Sequence, residues 1–559
     1  MNAIDKNNRP RLILIYILLI AGVIGLISIM ASVPPVSRDA LIHHLAIPKL
    51  YLQHGGIFEI PDLNFTYYPM NVTFLYTIPL YFNNDILPKF IHFAFALATT
   101  AMIYGYLKRR LNTEYALLGS LFFLSIPIIV YQSTIVYVDL GLVCFFFAAL
   151  LYLFKWIEHG FRFRYLAISA IMCGLALGTK YNGLVGLFLL GMFVPFIYAR
   201  YHANEPTYIR RAVLKAAAFI VIALLVFSPW MIRNVAWTGN PIYPLYNNVI
   251  SSITGSGEVV EAAKGESRYR SASHFERRRG LYGESTLEIL LIPLRVFFQG
   301  EDNNPKYFDG RANPFLLLLS IVAFLGIRLN SRQIKTEKFI LAAFSILFLL
   351  FAIMQTSIRI RYFIPIFPPL VILSMFGLYQ IEQYCRERSD YISNYTKQIA
   401  VYGIIVVMLG LNAKYMVERF NYVMPMPYLT GEVTRDQYIQ KFRPEYASMQ
   451  YANRNLSEDD RILGIYLGNR GYYSDIDITF SLRLLQDLAD QSQAAKEISD
   501  QLREREISYL LINFSLFNHW VQQDTLHQQQ MLKDFFEEYV DREFSHDGYG
   551  LYRVKNDNV

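Results

Sequence analysis

Two carboxylates and three cations are the side chains whose types and spacing could do chemistry. Asp39 stands in Ser37-Arg38-Asp39-Ala40-Leu41-Ile42-His43-His44. If this stretch is helical, Asp39 and His43 share a face four residues apart. A carboxylate beside an imidazole could act as a general base, and the plainer reading is an aspartate capping a helix. Asp139, in Tyr137-Val138-Asp139-Leu140, could share a metal or an acceptor hydroxyl with Asp39, and the plainer reading is again a helix cap. Lys180 follows Gly178-Thr179, Arg233 closes Pro229-Trp230-Met231-Ile232-Arg233, and Arg361 opens Arg361-Tyr362-Phe363-Ile364-Pro365. Each borders an apolar run, where an anionic head group would explain it and snorkelling to lipid phosphates is the plainer reading. Tyr67-Tyr68-Pro69 and the segment from Trp237 to Tyr246 are rich in rings and proline. Such rings stack on sugar faces or form an ordinary interfacial belt.

The elements that must position these groups are membrane spans. The chain has 559 residues, 54% hydrophobic and only 17% charged, against roughly 25% charged in a soluble domain. So apolar a chain excludes disorder and argues against an ordinary cytosolic enzyme. The mean hydropathy of +0.26 is modest for a pure bundle, which points to a polar part. Charge locates it. Residues 418–559 hold 15 Lys and Arg against 23 Asp and Glu, a net −8, so the first 417 carry +15 of the total +7. The basic residues sit in short loops between apolar runs, a topology pattern rather than a nucleic-acid patch.

About eleven spans are expected: 12–33, 87–107, 114–132, 138–154, 165–179, 183–199, 212–230, 313–328, 338–355, 361–380 and 398–416. The first, at about 22 apolar residues, is too long for a signal-peptide core and reads as a retained span with a cytoplasmic N-terminus. Alternate loops hold Lys108–Arg110, then Lys155, Arg162 and Arg164, then Arg200, Arg210 and Arg211. Arg328, Arg332, Lys335 and Lys338 follow, and finally Arg386 and Arg388. Eleven spans place all of these on the cytoplasmic side. They leave two long outer loops, about 34–86 and 231–312, and put the C-terminal segment outside. Phe74–Phe82 and Leu287–Phe298 read as helices lying in the interface. The domains expected are therefore 1–417 in the membrane and 418–559 as a soluble α/β domain. In that domain Arg461–Tyr466, Tyr509–Asn513 and Tyr549–Val554 are strand-like and Leu482–Arg505 helical.

Other signals are negative. Cys144, Cys173 and Cys385 support neither a disulfide framework nor a zinc site. The sequence holds no Gly-x-x-x-x-Gly-Lys-Ser/Thr loop, no His-Glu-x-x-His and no Gly-x-Ser-x-Gly elbow.

Taken together, Asp39 with His43-His44 and Pro48-Lys49-Leu50-Tyr51, Tyr67-Tyr68-Pro69, Thr179-Lys180, Pro229-Trp230-x-x-Arg233-Asn234, Gly239-Asn240-Pro241 and Arg361-Tyr362 with Pro365 resemble the polytopic GT-C glycosyltransferases. These include the protein O-mannosyltransferases of glycosyltransferase family 39 and the aminoarabinose transferase acting on lipid A. The resemblance covers residues 10–380. It implies a polyprenyl-phosphate sugar donor and inverting transfer at the outer face of the cell (inner or plasma) membrane, to a membrane lipid or an envelope glycan or protein. It makes Asp39 the general base and Asp139 the second-loop acidic position that orients the acceptor or a metal. No cofactor is certain. A divalent ion, if used, would sit on Asp39 and Asp139, although a lone Asp139 stands where some relatives carry an acidic pair. Lys180, Arg233 and Arg361 would hold the donor phosphate, with His43, His44 and Lys49 as further binding candidates and Tyr67 and Tyr68 beside the substrate. A phosphate held by cations leaves well, so no nucleotide loop is required.

Two other readings compete. A transporter or flippase of a lipid-linked glycan should carry ionisable groups deep in its spans, where this sequence has mainly His92 and Lys215. A structural or sensing protein would leave the outer-face Asp39, Lys180 and Arg361 without a role.

Overall fold

The computed structural model describes residues 3–61, 63–254, 274–325, 330–355, 357–387, 394–523 and 525–555. Arg328 and Arg388 of the basic loops lie outside these residues. The protein is mostly helical, with one five-stranded sheet near its C-terminus.

Twelve helices carry the apolar runs: α1 (Ala3–Ala31), α2 (Leu87–Arg110), α3 (Thr113–Ser125), α4 (Pro127–Ser133), α5 (Asp139–Glu158), α6 (Phe163–Leu177), α7 (Gly183–His202), α8 (Tyr208–Thr238), α9 (Phe315–Val322), α10 (Arg332–Ile353), α11 (Phe367–Glu387) and α12 (Asn394–Val423). Among the described residues, eight stretches are long and apolar enough to cross a bilayer. A ninth arises if α3 and α4, bent by 65°, count as one broken span. The expected eleven are therefore not all present as full spans. Pro127 stops α3 within the apolar run, since proline lacks the amide hydrogen that the helix needs. The run at 165–179 becomes the 15-residue α6, about 22 Å long against a core of roughly 30 Å. The run at 313–328 becomes the eight-residue α9. Apolar composition sets where helices form; turn chemistry sets how long they run.

The chain divides into two compact units, the first comprising Met1–Ser32, Tyr67–Leu75 and Leu87–Pro425. At its centre α5 is almost wholly buried, while α8 leaves Val213, Leu214, Val221, Leu225 and Ile232 exposed, as a helix facing lipid does. Close approach explains two glycines. A Cβ on Gly377 of α11 would sit 2.0 Å from the Leu319 carbonyl oxygen of α9, and one on Gly174 of α6 would sit 2.6 Å from that of Ala223. At one end of α2, Arg110 donates to Glu337 of α10 (3.0 and 2.5 Å) and pairs with Glu158, while the Tyr106 hydroxyl also donates to Glu337 (2.7 Å). Of the interfacial elements expected, Thr286–Leu290 and Ile292–Arg295 are short helices with Leu287, Leu290 and Leu294 exposed.

The second unit comprises Val33–Thr66, Tyr76–Ile86 and Met426–Val559. Its sheet has the order β2-β1-β3-β5-β4, from β1 (Arg461–Ile465), β2 (Asp477–Phe480), β3 (Tyr509–Asn513), β4 (Val540–His546) and β5 (Tyr549–Val554). The first three strands are parallel; β3–β5 and β5–β4 are antiparallel. Residues alternate between faces. Leu463, Leu510 and Ile512 pack under the helices Leu482–Gln491, Ala495–Glu504 and Leu526–Glu538, while Ile462, Leu511 and Leu551 pack with Met449 and Ala452 of Tyr446–Asn455. The expected strands at 461–466, 509–513 and 549–554 are β1, β3 and β5. The helical stretch 482–505 divides into two helices. Both unexpected strands, β2 and β4, are edges, and their burial is partial.

Candidate active site

Within the first unit Asp139 opens α5, with its side chain 1% exposed, and accepts an ion pair from Lys180 at 2.8 Å. Lys180 lies in the turn between α6 and α7, and its ammonium also stands 5.3 Å over the Tyr362 ring. The start of α5 is fixed by a histidine from α2. His92 Nε2 accepts the Leu140 amide at 3.0 Å, and Nδ1 faces the carbonyl oxygens of Gln132 and Ile135 at 3.0 and 3.1 Å. A nitrogen facing two carbonyls must carry the hydrogen, and one facing an amide N–H must not. The hydrogen bonds thus assign His92 as the neutral Nδ1–H tautomer, a scaffold for the turn that carries Asp139.

The other two cations rest on rings. Arg233 lies over Trp230 and Trp237 at 4.7 and 4.9 Å and donates to the Tyr68 carbonyl oxygen at 3.2 Å. Its Nη2 also donates to Asn234 Oδ1 at 2.8 Å, whose amide donates in turn to the Tyr67 carbonyl oxygen (2.9 Å) and the Tyr181 hydroxyl (3.1 Å). Tyr181 passes its own hydrogen to the Tyr243 carbonyl oxygen at 2.8 Å. Arg361 is buried over Tyr137 (4.9 Å) and Tyr362 (5.3 Å). Tyr68 and Tyr181 meet edge to face at 5.4 Å. Burial pushes the phenol of Tyr68 upward, with Tyr362 adding to it, so Tyr68 stays a neutral donor at physiological pH. The structure thus links Tyr67, Tyr68, Lys180, Arg233 and Arg361 through shared rings and hydrogen bonds, with Asp139 paired into the set. The chemistry on offer is a cation-rich, ring-lined polar cluster suited to a phosphate monoanion or diester.

Asp39, His43, His44 and Lys49 belong to the second unit. Ala40–His44 is a single π-helical turn, and the Asp39 side chain makes no capping hydrogen bond to it, so the capping reading does not hold for Asp39. His43 stacks on Phe65 at 4.1 Å and touches His44 at 4.0 Å. Lys49 points its ammonium at the carbonyl oxygens of Tyr472 (3.1 Å) and Ser474 (2.8 Å) and at the Asp475 carboxylate (2.8 Å). Those three acceptors match its three hydrogens, which makes Lys49 a tie within this unit.

A metal on the expected carboxylates gains no support from their surroundings. The charge of Asp139 is met by Lys180, and among the described residues no group of three or more His, Cys, Asp or Glu side chains could hold an ion. Asn71 stands in a glycosylation-type Asn-Val-Thr, a short pattern frequent by chance that says nothing of its place in the cluster. Its amide accepts from Trp230 Nε1 at 2.8 Å and lies so close to Gly178 that a Cβ there would be 2.1 Å away. The Trp230 ring that Asn71 holds in turn carries Arg233. In Gly239-Asn240-Pro241, Gly239 takes φ +72° to end α8, and Asn240 Oδ1 accepts the Ile242 amide at 3.0 Å. That turn leads the chain to Tyr243.

Residues 81–232 match the family described as dolichyl-phosphate-mannose-protein mannosyltransferase. No curated protein matches the sequence. The fold is similar to that of ArnT from Cupriavidus metallidurans bound to undecaprenyl phosphate, with a TM-score of 0.56, 13% identity, and 97% of this chain and 98% of that one covered. The apo state of the same protein gives 0.55 at 12% identity, covering 96% and 97%. The oligosaccharyltransferase AglB from Archaeoglobus fulgidus, in complex with an inhibitory peptide and a dolichol-phosphate, gives 0.51 at 12% identity, covering 97% of this chain and 74% of that one. The chain therefore shares the fold of these structures: a multi-pass unit of apolar helices with a small C-terminal sheet.

Proposed function

We propose that this protein is a GT-C glycosyltransferase that moves a sugar from a polyprenyl phosphate to a hydroxyl of an envelope lipid, glycan or protein, inverting the anomeric carbon. The observation that carries the reading is the cluster of Lys180, Arg233 and Arg361 among the rings of Trp230, Trp237, Tyr137 and Tyr362. The full-length likeness to ArnT, whose crystal structure holds undecaprenyl phosphate, supports it, as does the mannosyltransferase match over 81–232.

In the reaction, the acceptor oxygen forms a bond to the sugar's anomeric carbon as the bond from that carbon to the donor phosphate oxygen breaks. The phosphate leaves with its negative charge, which the three cations stabilise most as it develops. Asp39 takes the proton of the acceptor hydroxyl. Asp139 holds Lys180 in place for the phosphate, and the apolar spans keep the lipid tail in the bilayer. The site works at the outer face of the cell membrane, with the N-terminus cytoplasmic and the C-terminal domain outside.

The test is transfer by the full chain in lipid nanodiscs, using labelled polyprenyl-phosphate sugars and an envelope extract. Label should enter product with release of polyprenyl phosphate, and Asp39→Asn should lower turnover by about 10²–10⁴-fold. Movement of intact donor across the bilayer without product would favour the flippase reading. Wild-type turnover in Asp39→Asn would remove Asp39 as base.

A further inference from the structure

Asp39 lies at the entry of a helical stretch: Arg38 and Asp39 are helical, Ala40–His44 is one π-helical turn, and Leu45 leads into the helix Ala46–His54. Irregular backbone at 34–37 precedes it. Helix ends fray more readily than their interiors, yet a general base must keep its oxygen within hydrogen-bond reach of one proton. Contacts from outside the stretch therefore matter most at its entry.

The connection between β1 and β2 makes contact on both sides of Asp39. Before it, the Tyr473 hydroxyl donates to the Pro35 carbonyl oxygen at 2.8 Å. After it, the Tyr472 amide donates to the Leu41 carbonyl oxygen at 3.1 Å. Further along, Lys49 donates to the carbonyl oxygens of Tyr472 and Ser474 and pairs with Asp475. The second piece of first-loop chain is held by the same connection, since Asp85 accepts from the Tyr472 hydroxyl at 3.3 Å and pairs with Arg435 at 2.5 Å.

The connection is itself braced. Asn453 donates to the Tyr473 carbonyl oxygen (3.0 Å) and accepts the Asp475 amide (2.8 Å), and Arg470 pairs with the buried Glu445. Pro35, Leu41 and Lys49 are thus fastened to a sheet whose order is set 430 residues later in the chain.

We infer that the β1–β2 connection, through Tyr473 and the Lys49–Asp475 tie, is a positioning element for Asp39, and that this is what the C-terminal domain contributes to turnover. The inference rests on Asp39 being the base. It assigns no donor contact to Tyr473, Lys49 or Asp475, which act through the backbone that carries Asp39.

The experiment compares wild type, Asp39→Asn, Tyr473→Phe, Lys49→Met, the double variant Tyr473→Phe/Lys49→Met, and Lys49→Arg, all as full chains in nanodiscs. Donor KM, kcat and hydrogen exchange over 35–45 are read together. The double variant should lose about 10–100-fold in kcat, as a displaced catalytic group does, with donor KM within about twofold by the same reasoning. Exchange over 35–45 should rise while that of the spans does not, and Lys49→Arg should recover most of the loss.

Asp39→Asn at full activity would defeat the assignment of the base, and with it the proposed function's mechanism. An inactive Asp39→Asn beside a double variant with wild-type kcat would overturn the positioning role alone. So would a kcat loss with exchange unchanged over 35–45. If the double variant does not fold, Tyr473→Phe removes one oxygen and decides the same question at smaller amplitude.

Discussion

Two buried polar clusters of the membrane unit are built on opposite plans. Around Arg110 two carboxylates hold one guanidinium: Glu337 and Glu158 both bind it, and Tyr106 and Gln333 add hydrogen bonds to Glu337. Around Lys180 the named groups are three cations and one carboxylate, and all three cations lie over aromatic faces. Buried charge is costly unless paired and hydrogen-bonded. The first cluster meets that condition with protein groups and reads as a staple between α2, α5 and α10. The second sets its cations over rings, whose faces attract them. The difference teaches which cluster should respond to a ligand and which only to unfolding.

The sharpest way to break this comparison is Glu337→Gln. It leaves Arg110 with half of its partners, so stability should fall by about 3 kcal/mol, the low side of the cost of breaking a buried pair. Apparent Tm in detergent should drop, while donor affinity in the folded fraction stays put. A change in donor KM would show that the Arg110 cluster is not merely a staple. The reciprocal variant, Arg361→Gln, should weaken donor binding about 10–100-fold, the worth of one charge-assisted hydrogen bond. Its apparent Tm should move less than that of Glu337→Gln. Unchanged donor affinity would take Arg361 out of the phosphate site and reduce the ring-held cluster to a structural one.

Much of this was legible in the sequence because it depends on residue type. Apolar runs gave the helices, and the acidic, strand-patterned tail gave the C-terminal sheet. Cations beside spans drew attention to Lys180, Arg233 and Arg361, which the structure sets over rings. What was not legible depends on partners distant in the chain. Lys49 looks like a phosphate ligand until the sheet brings Tyr472, Ser474 and Asp475 to it. Asn71 looks like a sequon until α8 brings Trp230. Among the described residues not every expected span is a full-length helix, because hydropathy ignores the break at Pro127 and the shortness of α9. One missed signal was local. Asp547-Gly548, with φ of +45° and +79°, is a turn dipeptide joining β4 to β5, and it marks the hairpin that the polar alternation of β4 concealed.

A third cluster extends the comparison to the long loop after α8 at smaller amplitude. Glu284 is buried and pairs with Arg278 at 2.5 Å and Arg295 at 3.1 Å. Burial alone would raise its carboxyl, but the hydrogen bonds and charge of Arg278, then of Arg295, outweigh it and hold the group below the usual range. A carboxyl lowered by folding contributes stability that is fully present above its unfolded value, about 4.3. That contribution is lost as pH falls through the lower folded value. Wild type should therefore be more thermostable than Glu284→Gln at pH 7, by less than the Glu337→Gln effect, and the gap should close as pH falls below about 4. Apparent Tm of both proteins across pH 3–7 measures it. A gap that stays constant over that range would mean the carboxylate's charge does not contribute, and that this cluster holds the loop by shape rather than by pairing.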